Sequence, residues 1–276
     1  MFSVLGAEPL PTGFTPVSPG RGRPEPVLSA EAYLVALVHH PKPLLARRPR
    51  KRLAPASLTK LMTAAVAAEK LAPEDVITLS ARAAAAGERV SGAEVGEVFS
   101  RQDLLRLTLI SSANDAALAL AEAVGVKSAA SGSDHGAMDF VRLMNEKARV
   151  LGMSDTNFAN PTGLDAAGHY ASAADLGRLA EYILDRHPDL WEVTRYKEAA
   201  VSGFGGRRHT LRNTNELLKE FPAIRGGKTG LTDNAKGALL LLYPVRTGQT
   251  AIIVLLKSED RFGDGRKIIK WFEENF

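Results

Sequence analysis

Ala238-Leu239-Leu240-Leu241-Leu242-Tyr243 and Thr250-Ala251-Ile252-Ile253-Val254-Leu255-Leu256-Lys257 decide the fold. Each is an apolar run of strand length, and residues 244–249 between them supply turn residues, so the pair reads as a β-hairpin. Near the other end of the chain, residues 32–38 form a third such run. His39-His40-Pro41-Lys42-Pro43 then turns the chain, and residues 44–46 return as a partner strand. The stretch between these early and late strands reads as helix. Residues 58–70 are strong helix formers that stop before Pro73. Residues 102–124 repeat apolar side chains at helical spacing, with Gly125 as a stop. Residues 138–151 do the same up to Gly152, and residues 175–184 are followed by Pro188. Residues 265–276 form a terminal helix, with Ile268, Ile269, Phe272 and Phe276 on or near one face. Strand, helices, strand, helix predicts an α+β fold. One antiparallel sheet is flanked by helices and carries an inserted all-helical lobe. A cleft between the two is a natural place for a site.

Six prolines and four glycines fall within residues 1–26, a composition that holds neither a helix nor a sheet ladder, so this segment reads as a leader or linker. Residues 27–276 then form one domain. Its sheet lobe comes from about 27–57 and 200–276, and its helical lobe from about 58–199. With 45% hydrophobic and 24% charged residues, the 276-residue chain is neither disordered nor collagen-like. Zero cysteines exclude disulfides, thiolate metal sites and a cysteine nucleophile. No apolar stretch of membrane-spanning length occurs. The net charge is only +4. The run Arg47-Arg48-Pro49-Arg50-Lys51-Arg52 lacks interleaved aromatics for base stacking, so it reads as a solvated loop and no nucleic-acid partner is expected.

Three short motifs carry the chemistry. Ser57-Leu58-Thr59-Lys60 places a hydroxyl and an amine on one face of a helix start. A serine alcohol is a poor nucleophile until a base takes its proton, and a lysine serves as that base if burial or neighbouring positive charge lowers its pKa. The alternative is a plain helix start with a solvated lysine. Ser112-Ala113-Asn114 interrupts an apolar helical pattern. These residues are either a satisfied polar kink or a proton relay beside an amide that grips substrate. Gly226-Gly227-Lys228-Thr229-Gly230 precedes the hairpin and is expected to begin or lie on a strand. There the glycines, Gly230 among them, let another chain approach the backbone closely, while Lys228 and Thr229 offer donors to a carboxylate. A P-loop does not fit, because Pro222 stands where its first glycine is needed. A metal enzyme fits poorly as well. The adjacent His39 and His40 do not form a ligand pair, since neighbours on a strand point to opposite faces, and no H-E-x-x-H occurs, so no metal or cofactor is expected.

S-x-x-K, S-x-N and K-T-G in this order are the motif set of the penicillin-binding and serine β-lactamase superfamily. From about residue 27 onward the chain resembles its low-molecular-mass D-alanyl-D-alanine carboxypeptidases. Supporting stretches are Pro55 to Ala64, Met144-Asn145-Glu146-Lys147-Ala148, Phe158-Ala159-Asn160-Pro161-Thr162-Gly163-Leu164-Asp165, His169 to Leu176, and Arg261-Phe262-Gly263-Asp264. The resemblance implies a β-lactamase/transpeptidase-like fold and a serine peptidase that removes the terminal D-Ala from peptidoglycan stem peptides. Ser57 would be acylated, Lys60 would take its proton, and Ser112 would pass a proton to the leaving D-Ala, with Lys228 holding positive potential nearby. Asn114 would hold the peptide amide. Thr229 and Arg261 would bind the terminal carboxylate, and the backbone N–H groups of Ser57 and Leu231 would form the oxyanion hole. β-Lactam antibiotics would acylate the same serine. Arg261 reads as lying at the end of a strand, where its alternative is a surface ion pair.

Members of that family often carry His or an aromatic residue at the position of Leu231, and many continue into a β-rich domain and an anchor helix. No membrane anchor is expected in this chain. Three other readings remain: a class A-like β-lactamase, a D,D-endopeptidase, and a non-catalytic cell-wall-binding module. The β-lactamase would need a deacylating Glu, and the nearest candidate is Glu181, within a helical apolar pattern. The expected location is extracytoplasmic, with an export signal absent from this sequence.

Overall fold

The computed structural model describes residues 24–87, 91–128, 136–246 and 248–275. Most of the expected leader, residues 1–23, lies outside the described residues. The late hairpin is β8 (Lys236–Pro244) and β9 (Thr250–Ser258). It lies between β1 (Ala32–Leu37), which carries β2 (Leu45–Arg47), and β7 (Gly226–Thr232). The sheet runs β2-β1-β9-β8-β7, with every neighbouring pair antiparallel. Chain ends far apart in sequence thus meet in one sheet, as the order of elements predicts.

Four consecutive leucines have good helix propensity. They form a strand here because both faces of the sheet are covered. Leu239 and Leu241 pack on one side with Ile268, Ile269 and Phe272 of the terminal helix, α8 (Arg261–Asn275). Leu240 and Leu242 face the other way, into the helical lobe with Ile252, Val254 and Leu256. Burying one such side chain contributes about 1.5–3 kcal/mol, which outweighs propensity differences of a few tenths of a kcal/mol.

The helical lobe comprises α1 (Thr59–Lys70), α2 (Ala81–Ala84), α3 (Arg101–Leu109), α4 (Asn114–Ser128), α5 (Gly136–Val150), α6 (Ala173–Arg186) and α7 (Pro188–Val193). The Ser100 and Ser172 hydroxyls accept from the N–H groups of Asp103 and Asp175, capping α3 and α6. Two small antiparallel strand pairs, β3 (Val76–Thr78) with β4 (Val98–Ser100) and β5 (Glu198–Ser202) with β6 (Arg208–Arg212), lie outside the main sheet. Short and half-exposed, they leave little periodicity in the sequence. No helix of the described residues is long and apolar enough to cross a membrane.

Three expectations need correction. The helix expected over residues 102–124 is broken at residues 110–113, where Ser112 takes a left-handed φ of 62°. Gly125 does not stop α4. A glycine in a helix costs about 1 kcal/mol, and the packing of Leu120, Ala121 and Val124 in the core outweighs it. The terminal helix starts at Arg261 rather than Gly265 because Asp260 Oδ1 accepts the Gly263 N–H at 2.8 Å, an N-cap the apolar pattern did not reveal. Arg261 therefore opens a helix instead of closing a strand.

Candidate active site

Ser57 lies in a short 3-10 turn, Ala56–Leu58, that runs directly into α1 and carries Lys60 one turn further on the same face. Ala56 has a φ of 48°, a left-handed conformation that costs an L-residue about 1–2 kcal/mol. Two glycines make the turn possible. A Cβ on Gly163, itself at φ 87°, would fall 2.0 Å from Ala56 O. On Gly230 it would fall 2.8 Å from Ala56 Cβ and 3.1 Å from Ser57 N. K-T-G therefore needs its glycine to let the strand lie against the backbone of Ser57.

Lys60 is 0% exposed. Its Nζ donates to Ser57 Oγ at 3.0 Å, Asn114 Oδ1 at 2.7 Å and the Thr162 carbonyl at 2.6 Å. Lys228, 1% exposed, donates to Ser112 Oγ at 2.8 Å and to the Thr229 carbonyl at 2.9 Å. Buried lysines demand such partners, because an unsatisfied buried charge is far costlier than a lost hydrogen bond. The break between α3 and α4 thus places Ser112 against Lys228 and Asn114 against Lys60. Next to them, the Asp115 carboxylate accepts from Ser91 N at 2.7 Å and Ser91 Oγ at 2.6 Å.

β7 is an edge strand, so alternate N–H groups point away from β8. Gly227 N–H points that way and donates to Thr194 Oγ1 at 3.0 Å. The two-residue period carries the N–H groups of Thr229 and Leu231 off the same edge. The Leu231 side chain is 49% exposed. Thr229 Oγ1 lies 2.6 Å from Thr214 Oγ1. The Cβ and Cγ of Arg261 pack over Gly237, the β8 partner of Leu231, and its guanidinium lies 4.5 Å from the Phe262 ring. The structure thus gathers Ser57, Lys60, Ser112, Asn114, Lys228, Thr229 and Gly230 at one point and puts Arg261 one strand away.

Residues 21–259 match the model of the D-alanyl-D-alanine carboxypeptidase family. The chain belongs to that family. It is similar to the D-alanyl-D-alanine carboxypeptidase DacF of Bacillus subtilis, with 36% identity over 203 residues that cover 72% of this chain and 50% of that protein. With a D-alanyl-D-alanine endopeptidase of Pseudomonas aeruginosa the identity is 33% over 257 residues, 89% of this chain and 78% of that one. The DD-transpeptidase of Streptomyces K15 superposes with a TM-score of 0.82 at 25% identity, covering 91% of this chain and 99% of that one. The chain spans 50% and 57% of the length of two curated carboxypeptidases it matches, from Bacillus subtilis and Escherichia coli.

Motif reading missed the groups that support this family's constellation. Thr162 contributes through its carbonyl, which no side-chain pattern reveals. It sits in a turn that Asn160 holds, with Oδ1 accepting from Thr162 N at 3.1 Å and Gly163 N at 2.7 Å. Asp165 fastens the end of this loop to the last residue of β7, through Thr232 Oγ1 at 2.8 Å, and to the turn after it, through Asn234 N at 3.0 Å. The Asn-Pro-Thr-Gly run was the available signal, since it reads as a tight turn.

Proposed function

We propose that this chain is the catalytic domain of a serine-type D-Ala-D-Ala carboxypeptidase, with a sheet lobe from residues 27–57 and 200–276 and a helical lobe from 58–199. The supporting observation is that each of two buried lysines is hydrogen-bonded to a serine hydroxyl, Lys60 to Ser57 and Lys228 to Ser112. A neutral Lys60 amine has two N–H donors and one lone pair. As an ammonium, Nζ donates to all three oxygens; once neutral, it keeps its N–H groups for Asn114 Oδ1 and the Thr162 carbonyl, which can only accept, and turns its lone pair to the Ser57 O–H.

Ser57 Oγ then attacks the carbonyl carbon of the penultimate D-Ala while its proton passes to Lys60. The Ser57 and Leu231 N–H groups hold the oxyanion. As the C–N bond breaks, the proton reaches the departing D-Ala amine through Ser112 Oγ, beside Lys228. Asn114 holds the peptide amide, and Thr229 and Arg261 receive the terminal carboxylate. Water, deprotonated by Lys60, hydrolyses the ester and restores Ser57. A β-lactam follows the same first step, but its leaving nitrogen stays tethered, so the adduct persists. The substrate is the peptidoglycan stem peptide, which places the enzyme outside the cytoplasm.

The endopeptidase relative supports a second reading, cleavage of crosslinks by the same residues. The β-lactamase reading has no such support. Glu181 lies in α6, and its Oε1 accepts the His39 N–H at 2.9 Å, at the turn after β1.

Intact-mass analysis after incubation with penicillin tests the assignment. The expected result is a persistent adduct on Ser57 that Ser57→Ala abolishes, together with D-Ala release from a stem pentapeptide. Rapid drug loss without an adduct would make the chain a β-lactamase. The absence of both adduct and drug loss would point to a binding module if D-Ala release is absent too, and to a site closed to the bulky lactam if D-Ala is still released.

A further inference from the structure

His169 takes no part in the chemistry above, yet it is only 6% exposed and both ring nitrogens are engaged. Nδ1 accepts the Ala159 N–H at 2.9 Å. A backbone N–H can only donate, so Nδ1 is bare and the ring proton sits on Nε2. Nε2 therefore donates to Thr59 Oγ1 at 2.8 Å. The Phe158 ring packs edge-on at 5.9 Å and fixes the ring plane.

Both partners of the ring lead to the general base. Thr59 directly precedes Lys60 in α1. Ala159 opens the loop whose Thr162 carbonyl takes one Lys60 N–H. Helix and loop are thus joined twice, through the imidazole and through the amine. Thr63 Oγ1 adds a third tie, donating to the Pro161 carbonyl at 2.7 Å. Asn145 holds Phe158 through its N–H and its carbonyl at 2.8 Å each, and Asn160 holds Thr162 and Gly163, so loss of the imidazole releases Ala159 between these anchors and loosens the Thr162 carbonyl on the amine.

We propose that His169 is a positioning residue for Lys60, bridging Thr59 to Ala159 so that the Thr162 carbonyl stays on the amine and its lone pair on Ser57. This inference rests on the roles given to Ser57 and Lys60 above. A histidine that only filled the core would affect the fraction of folded protein and leave the rate of each folded molecule unchanged.

The test is stopped-flow acylation by a chromogenic cephalosporin, which separates the acylation rate constant from initial binding, with titration of acylatable sites. For His169→Ala the expected result is a rate constant lower by roughly tenfold or more, as for loss of one aligned contact in the transition state. Initial binding should change by less than about twofold and all sites should remain titratable. His169→Asn keeps an acceptor for Ala159 at the Nδ1 position but gives up the bond to Thr59, and should recover most of the rate that His169→Ala loses. Should His169→Ala fail to fold, His169→Gln, which reaches Thr59 but offers Ala159 no acceptor, should be slow where His169→Asn is fast. A parent-like rate for His169→Ala or His169→Gln, or a loss confined to the titratable fraction, overturns the proposal. A parent protein that is never acylated overturns instead the reading of Ser57 and Lys60, and this inference with it.

Discussion

Lowering the pH from 7 to 4 is expected to cost the folded state about 3 kcal/mol at His169 alone. Burial pushes this imidazole down from 6.5 to about 4, against the opposing pull of the Asp165 carboxylate. In the unfolded chain the ring protonates near 6.5. In the folded protein it stays neutral until about pH 4, because protonation would turn the Nδ1 acceptor into a donor facing the Ala159 N–H. Between these values the unfolded state binds the extra proton, so stability falls as pH falls. At about 1.4 kcal/mol per pH unit the loss reaches about 2 kcal/mol at pH 5 and about 3 kcal/mol at pH 4. Other groups also shape the acid response. Lys51 and Lys257 hold Glu31 near 2, and burial raises Asp175. Both remain in a His169→Asn variant, so the difference in unfolding free energy between parent and variant isolates the imidazole. Urea unfolding at pH 7.5, 5 and 4 measures that difference. It should shift by about 2 and about 3 kcal/mol against the parent as pH falls. A difference that stays constant to within about 0.5 kcal/mol would refute the buried neutral ring.

Gly230→Ala drives a methyl group to within 2.8 Å of Ala56 Cβ and 3.1 Å of Ser57 N. The expected outcome is a stability loss of about 1–3 kcal/mol and β-lactam acylation slowed by more than about tenfold, read from urea melts and adduct formation. Thr63→Val removes the tie to the Pro161 carbonyl while keeping the side-chain shape. Since Thr63 and His169 restrain the same loop, Thr63→Val and His169→Ala should combine non-additively in acylation rate. Strict additivity in that double-mutant cycle would show that the two act independently.

The sheet was legible because its central strands are buried on both faces and read as unbroken apolar runs. The helix break at residues 110–113 was less so. Ser112 and Asn114 looked like either a kink or a site, and the kink is what brings them to the lysines: Ser112 takes a left-handed φ between the two helices and its hydroxyl accepts from Lys228. Arg261 was misplaced because Phe262-Gly263-Asp264 shows no apolar period, while its cap, Asp260, acts through a single backbone contact. Thr162 and His169 escaped for another reason. One works through its carbonyl, and the other touches Ala159 and Thr59 across ten and 110 positions of sequence.

The two lysines share one solution to burial. Each meets a serine hydroxyl and a backbone carbonyl, that of Thr162 for Lys60 and that of Thr229 for Lys228. A carbonyl accepts without carrying charge, so it satisfies the buried amine without adding a second ion. A carboxylate in its place would hold the lysine protonated, and the mechanism proposed above needs a neutral Lys60 to take the Ser57 proton. The carbonyl has a cost, because its position depends entirely on the backbone that carries it. In β7 the ladder to β8 fixes it, since Thr229 pairs with Leu239. The Thr162 loop has no such ladder, and Thr63, Asn145, Asn160, Asp165 and His169 fix it one hydrogen bond at a time. Sensitivity to substitution should therefore concentrate around that loop, at residues whose side chains bond its backbone.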